Sequence, residues 1–200
     1  MLSLCIIKEK GMMKMKISVG VSNRHVHLNK EDYELLFGDI PLTKRNDLTQ
    51  PGMYACNETV TIKGSKRSIS DVRVLGPLRS YTQVEVSKTD SYSLGVIPPV
   101  RNSGDLADAV PITIIGPKGE ITRNACIIAT RHIHVDKNIR IKHHLEGIDK
   151  VSVKISGEKG GIIDNVYLKD SDEAYFELHL DTDDANGFLL KQNDEVEIML

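Results

Sequence analysis

Arg24-His25-Val26-His27-Leu28 returns later in the chain as Arg131-His132-Ile133-His134-Val135. Each copy follows a run of strand-forming residues, Lys16 to Val21 or Ile127 to Thr130. Each leads into a residue suited to capping a helix, Asn29 or Asp136. A strand, a five-residue signature and a helix cap recurring in one frame indicate a two-copy repeat. The reading is of two related units, the first running to about Thr130 and the second onward from Arg131.

Outward from that repeat, most of the chain has strand character. β-Branched residues alternate with polar ones over Lys16–Val21, Thr59–Lys63, Val72–Leu75, Gln83–Ser87, Ile112–Ile115, Ile127–Thr130, Val151–Ile155, Tyr175–Leu180 and Glu195–Met199. Gly, Pro, Asn and Asp punctuate them, as in Gly76-Pro77 and Gly116-Pro117-Lys118-Gly119. Many short strands with turn signals between them predict barrels or a sandwich. Helical signals are few. Asn29 caps a predicted helix ending at Gly38, Asp136 one running toward Leu145, and a third covers Asp183 to Leu190.

Bulk properties narrow the function classes. With 200 residues, the chain suits one domain or two small ones. A formal net charge of -2 and no Trp give neither an electrostatic footprint nor stacking platforms for nucleic acid. No apolar run is long enough to span a bilayer, so no membrane partner is expected. Cys5, Cys56 and Cys126 are odd in number and far apart, which disfavours a disulfide framework and suits a reducing, cytoplasmic compartment. Residues 1–15 read as a flexible start or a short docking tail.

The histidine pairs carry the chemistry. In a strand, residues i and i+2 share a face, so His25 and His27 can converge on one ion, and His132 and His134 on another. Neutral imidazole is a good ligand, but catalytic zinc usually takes three protein ligands and keeps one position open. The repeat suggests the third donors. Gln83-Val84-Glu85-Val86-Ser87-Lys88-Thr89-Asp90 and Glu177-Leu178-His179-Leu180-Asp181-Thr182-Asp183 each read as a strand followed by a Thr-Asp turn. One residue of slippage then puts Glu85 and His179 in matching places. The sets become His25/His27/Glu85 and His132/His134/His179, for two zinc ions in one cleft. A lone His-X-His is commonly structural, and a strand carboxylate such as Glu85 is as readily a solvated group as a ligand. Two copies in one local frame favour metal. His143 and His144 read as surface residues.

Two arginines bear on anions. Gly76-Pro77-Leu78-Arg79 ends a strand in a turn and presents a guanidinium, which grips phosphate in a planar fork. Arg101, in Pro98-Pro99-Val100-Arg101-Asn102-Ser103-Gly104-Asp105, could meet phosphates of a nucleotide-like ligand or simply hold its loop. Arg24 and Arg131 receive no catalytic role.

At these residues the chain resembles the phosphate propanoyltransferase family of phosphotransacylases. The stretches that carry the likeness are Val19 to Leu28, Leu75 to Arg79, Gln83 to Ser87, Pro98 to Asp105, Arg131 to His134 and His179 to Asp183. The resemblance implies a mainly β protein with short helices: two pseudo-symmetric β-barrel domains capped by short α-helices. It implies a second barrel (131–200) completed by the N-terminal strand 16–23, beside a first barrel at 24–130. It implies a di-zinc site with His25, His27 and Glu85 on one ion and His132, His134 and His179 on the other, and Arg79 positioning phosphate. Substrates would be a short acyl-CoA (propanoyl-CoA or acetyl-CoA), CoA and phosphate. A homodimer or higher oligomer and a role in propanediol degradation are further expectations, with a bacterial microcompartment shell or cargo partner left open. One departure is Asp136 to Ile148, which lacks the family's acidic, Pro-containing helix start while keeping the cap. Two other readings stay open: a di-zinc thioester hydrolase, and a non-catalytic metal-binding barrel module.

Overall fold

The computed structural model describes residues 15–171 and 175–199; the tail reading for 1–15 falls almost wholly outside them. The first part of the chain runs β1 (Met15–Ser22), β2 (His25–His27), α1 (Lys30–Phe37), β3 (Lys44–Asp47), β4 (Tyr54–Lys63), β5 (Ser68–Gly76), β6 (Gln83–Glu85), α2 (Lys88–Leu94), β7 (Val100–Arg101), β8 (Val110–Ile115) and β9 (Glu120–Ala129). The remainder is β10 (His132–Val135), α3 (Lys137–Lys142), β11 (Lys150–Ile155), β12 (Gly161–Asp170), β13 (Glu177–Asp181), α4 (Thr182–Gly187) and β14 (Glu195–Met199).

These strands close into two six-stranded barrels. One follows the ring β2-β6-β9-β8-β4-β5, with β3 added beside β4 and β7 beside β9. The other follows β10-β13-β1-β14-β11-β12. The two rings match pair for pair in strand direction. β2 lies antiparallel to β6 and parallel to β5, as β10 lies antiparallel to β13 and parallel to β12. The strand preceding each histidine pair joins the other pair's barrel: β1 lies parallel to β13, and β9 parallel to β6. Each chain crossing between barrels therefore falls immediately before a histidine pair, which places both pairs where the barrels meet.

Closure hides the strand edges that an open sheet would expose. Each barrel has its own apolar interior. Val26, Ile62, Val74, Val84 and Ile114 fill one, and Val19, Ile133, Val153, Leu178 and Ile198 the other, all buried. The helices cap barrel ends: Leu36 of α1 and Leu94 of α2 enter the first core, and Ile139 of α3 packs on the second.

The repeat extends to a shared irregularity. In β5, Ile69 and Val72 bracket Asp71 at φ 57°, and in β12, Ile163 and Val166 bracket Asn165 at φ 59°. Both lie where the strand register shifts against its neighbour, and Asp and Asn are the side chains that tolerate this left-handed backbone best. The bulge breaks the period-two pattern, which is why sequence periodicity missed β12 altogether.

Other readings need correction. Thr89-Asp90 is not a turn but the first turn of α2, whose Ser87 cap and Asp90 form a reciprocal capping box. The last helix starts at Thr182 and ends at Gly187 rather than running from Asp183 to Leu190. α1 ends at Gly38 and α3 begins after Asp136, as their caps indicated. Among the described residues no helix is long and apolar enough to cross a membrane.

Candidate metal centre and anion site

Strand alternation sets the direction of the histidines. Val26 and Ile133 are fully buried and point into the two barrel interiors. Their neighbours therefore leave by the opposite face. His25 and His27 have ring centroids 4.9 Å apart, and His132 and His134 the same 4.9 Å. Glu85 joins the first pair and His179 the second, each set offering ligand atoms within 4.8 Å of one another.

The pairing register makes the correspondence one-to-one. His25 lies opposite Glu85, and His132 lies opposite His179. The slippage inferred from the Thr-Asp pairs is wrong. Ser87 and Asp181, each two residues past the third donor, both cap helices and accept from Asp90 N and Asp184 N. The true counterpart of Asp90 is Asp184. Arg24 holds Asp90 through Nε at 2.9 Å, and Arg131 holds Asp184 through Nε at 2.7 Å. The arginine before each histidine pair thus ties that strand to the helix following the third donor.

Backbone carbonyls fix the imidazoles. His25 Nδ1 donates to Asn23 O and His132 Nδ1 to Thr130 O, both at 2.8 Å. A proton on Nδ1 leaves each Nε2 lone pair free for a metal ion. His27 is buried beside the backbone of Leu75, and its Nδ1 makes no hydrogen bond of normal geometry among the described residues.

The third donors have different supports at one equivalent place, two residues earlier on the same strand face. Gln83 donates its amide to Glu85 at 2.6 Å and to Ser103 Oγ at 2.9 Å, while Gly104 N donates to its carbonyl at 2.8 Å. Glu177 instead presents a carboxylate to His179 Nε2 at 2.9 Å and accepts a very short hydrogen bond from Tyr175. A carboxylate donor is thereby given an amide N–H, and an imidazole donor is given a carboxylate. Gly20 makes room for this: a Cβ there would lie 2.5 Å from Glu177 Oε2. Sequence reading missed Gln83, Glu177, Tyr175 and Ser103. The i−2 spacing from the third donor was the available signal for the first two.

Electrostatics separate the two clusters. Burial resists charge on His25, but Glu85 beside it outweighs that and raises its pKa. Burial would raise the Glu85 pKa, yet the neighbouring imidazoles of His25 and His27 hold it well below the usual carboxylate range. His27 is driven well down by burial, His25 and Arg79. In the second cluster, burial and neighbouring imidazoles lower His132 to about 4 and His134 to about 3. Imidazole nitrogens and one carboxylate oxygen form a donor set that suits zinc.

Both clusters open into one cleft of about 530 Å³, lined from both barrels. Arg79 lines it, donating to Tyr81 Oη at 2.9 Å and to Ser103 Oγ at 3.3 Å. Ser103 therefore braces Arg79 and Gln83 together. Arg101 is not among the lining residues. Its guanidinium donates to Ala107 O at 3.0 Å and Asp108 Oδ2 at 3.0 Å, which assigns it to holding its own loop. Lys169, which sequence reading also missed, lines the cleft beside His134. His143 stacks on Phe176 away from the cleft, and His144 is exposed.

The family model for phosphate propanoyltransferase matches residues 18–191. The chain belongs to the phosphate propanoyltransferase family. A protein of that name from Rhodopseudomonas palustris is 44% identical over 192 residues, covering 95% of this chain and 85% of its own. One from Thermotoga maritima is 48% identical over 195 residues, covering 96% and 90%. One from Salmonella typhimurium is 42% identical over 178 residues, covering 88% and 85%. These relatives are named as acyltransferases, and the matched span holds both donor clusters, Arg79 and Lys169.

Proposed function

We propose that this enzyme is a phosphotransacylase that interconverts a short acyl-CoA plus phosphate with acyl phosphate plus CoA. Propanoyl-CoA and acetyl-CoA are the substrates of choice, the first from the relatives' name and the second from its smaller but equivalent acyl group. The observation that carries the reading is the pair of register-matched donor clusters sharing one cleft with Arg79.

His25, His27 and Glu85 would hold one zinc ion, and His132, His134 and His179 a second. Zinc so held would supply Lewis-acid stabilisation of negative charge on the thioester oxygen and a soft partner for thiolate sulfur. The chain's own groups bind and orient. Arg79 offers its guanidinium to phosphate, with Ser103 and Tyr81 fixing the fork before phosphate arrives. Gln83 and Glu177 keep Glu85 and His179 aimed at the cleft.

In the reaction, a phosphate oxygen forms a bond to the thioester carbonyl carbon. The C–S bond breaks and its electron pair leaves on sulfur. Monohydrogen phosphate brings one proton and the departing thiolate takes one, so the overall exchange balances without a side-chain acid. No covalent side-chain intermediate is required, and Cys56 and Cys126 are buried.

The test is CoA release from propanoyl-CoA, with and without phosphate, before and after verified metal removal. Release that requires both phosphate and restored zinc supports the proposal. Full activity without metal ends the zinc assignment, and release without phosphate supports a hydrolase instead.

A further inference from the structure

The two barrels match residue for residue around the cleft, so the places where they differ carry information. Along the parallel strands, His25 pairs with Arg73 and Val26 with Val74, as His132 pairs with Tyr167 and Ile133 with Leu168. The next step sets Leu75 beside His27 in one barrel and Lys169 opposite His134 in the other, and both line the cleft. Arg79 likewise has no cationic counterpart. Its backbone N–H donates to Leu28 O, and the equivalent N–H donating to Val135 O belongs to Ser171. The first barrel thus contributes Arg73 and Arg79 as cations without a cationic counterpart, and the second contributes Lys169.

Lys169 is half-buried, and among the described residues it has neither a hydrogen-bond nor an ion-pair partner. The other cleft cations are engaged: Arg24 by Asp90, Arg73 by the carbonyls of Cys56 and Asn57, and Arg79 by Tyr81 and Ser103. Lys169 lines the same cleft as Arg79 and Glu85, and both are near enough to act on its charge. A partly desolvated ammonium without a counter-ion is costly unless an anion joins it. Glu85 faces its own histidine cluster and is held there by Gln83.

We propose that Lys169 is the second cation of the phosphate site, so that Arg79 and Lys169 grip the attacking phosphate from opposite barrels. Resting on the phosphotransacylase reading, this adds a phosphate-specific role for a residue of the second barrel. Two cations match the double negative charge of monohydrogen phosphate. Arg79 supplies a planar fork and Lys169 a point charge free to follow the phosphoryl oxygens as the new bond forms. Leu75, the apolar counterpart, adds no ammonium on the first-barrel side, where Arg79 is the phosphate cation.

The experiment compares wild type with Lys169→Met, Lys169→Gln and Lys169→Arg, all zinc-loaded, with zinc content measured. The KM values for phosphate and propanoyl-CoA are determined separately, and inorganic phosphate binding is measured by calorimetry. The expected result is a phosphate KM and dissociation constant raised about tenfold or more in the Met and Gln variants. The propanoyl-CoA KM should stay within about twofold and zinc content at the wild-type value, with Lys169→Arg restoring much of the phosphate affinity. An unchanged phosphate KM, a rise confined to propanoyl-CoA, or zinc loss in both neutral variants overturns the proposal. Wild type that releases CoA without phosphate instead defeats the phosphotransacylase reading, so the two failures are told apart by the wild-type control.

Discussion

Arg24 clasps Asp90 with two nitrogens, Nε to Oδ2 at 2.9 Å and a terminal nitrogen to Oδ1 at 2.8 Å. Asp90 is buried and also closes the capping box of α2, so this contact joins the first histidine pair to the helix behind Glu85. Arg24→Ala leaves a buried carboxylate short of its charged donors. The expected cost is roughly 1–3 kcal/mol of stability, together with weakened zinc binding at the first cluster. Arg131→Ala should act in the same way on the second cluster through Asp184. Thermal unfolding and zinc stoichiometry on both variants check this. Identical zinc retention to wild type would show that the clasp does not hold the donors.

Glu177 is the carboxylate that orients His179, and its Oε1 is buried without a hydrogen-bond partner among the described residues. Glu177→Gln is expected to lower zinc affinity by about 10- to 100-fold at one site of the two. Gly20→Ala should have a similar effect from the neighbouring strand, because the added Cβ displaces the Glu177 carboxylate. Competitive titration with a chromogenic chelator resolves the two sites. Equal loss at both would contradict the local role.

Arg79 stands apart from both donor sets while sharing their cleft. Arg79→Ala should raise the phosphate KM or lower kcat, with zinc content intact. A combined drop in kcat/KM of about 100-fold is the expected scale for losing a charged fork of this kind. Zinc loss would mark Arg79 as structural.

Cys56 and Cys126 are free and buried, and burial pushes each thiol up to about 12. In a Cys5→Ser variant, the folded protein should take up almost no iodoacetamide at about pH 8, and both remaining thiols should react after unfolding. Rapid labelling of the folded protein, read by intact mass, would contradict their burial.

How much was legible beforehand depended on distance along the chain. His25 and His27 share a face because a strand alternates every two residues, and the repeat made the second pair evident. The caps Asn29 and Asp136 could be read for the same reason, since a helix start depends on a few adjacent residues. The helix after Ser87 was misread because Thr-Asp is equally a turn and a capping-box interior, and only the reciprocal bonds of Ser87 and Asp90 decide between them. β12 was invisible because the left-handed Asn165 breaks its alternation.

The sequence by itself determined the duplication, the mainly β character and the local pairing of imidazoles, all of which rest on short-range periodicity. Tertiary structure decided the rest. Only barrel closure puts Glu85 opposite His25 and His179 opposite His132, removes the supposed slippage, and carries Arg101 out of the cleft. Only the parallel register of β10 and β12 brings Lys169 beside His134. The physical reason is that strand pairing joins residues tens of positions apart, and its register is set by which barrel closes, a quantity no local pattern encodes.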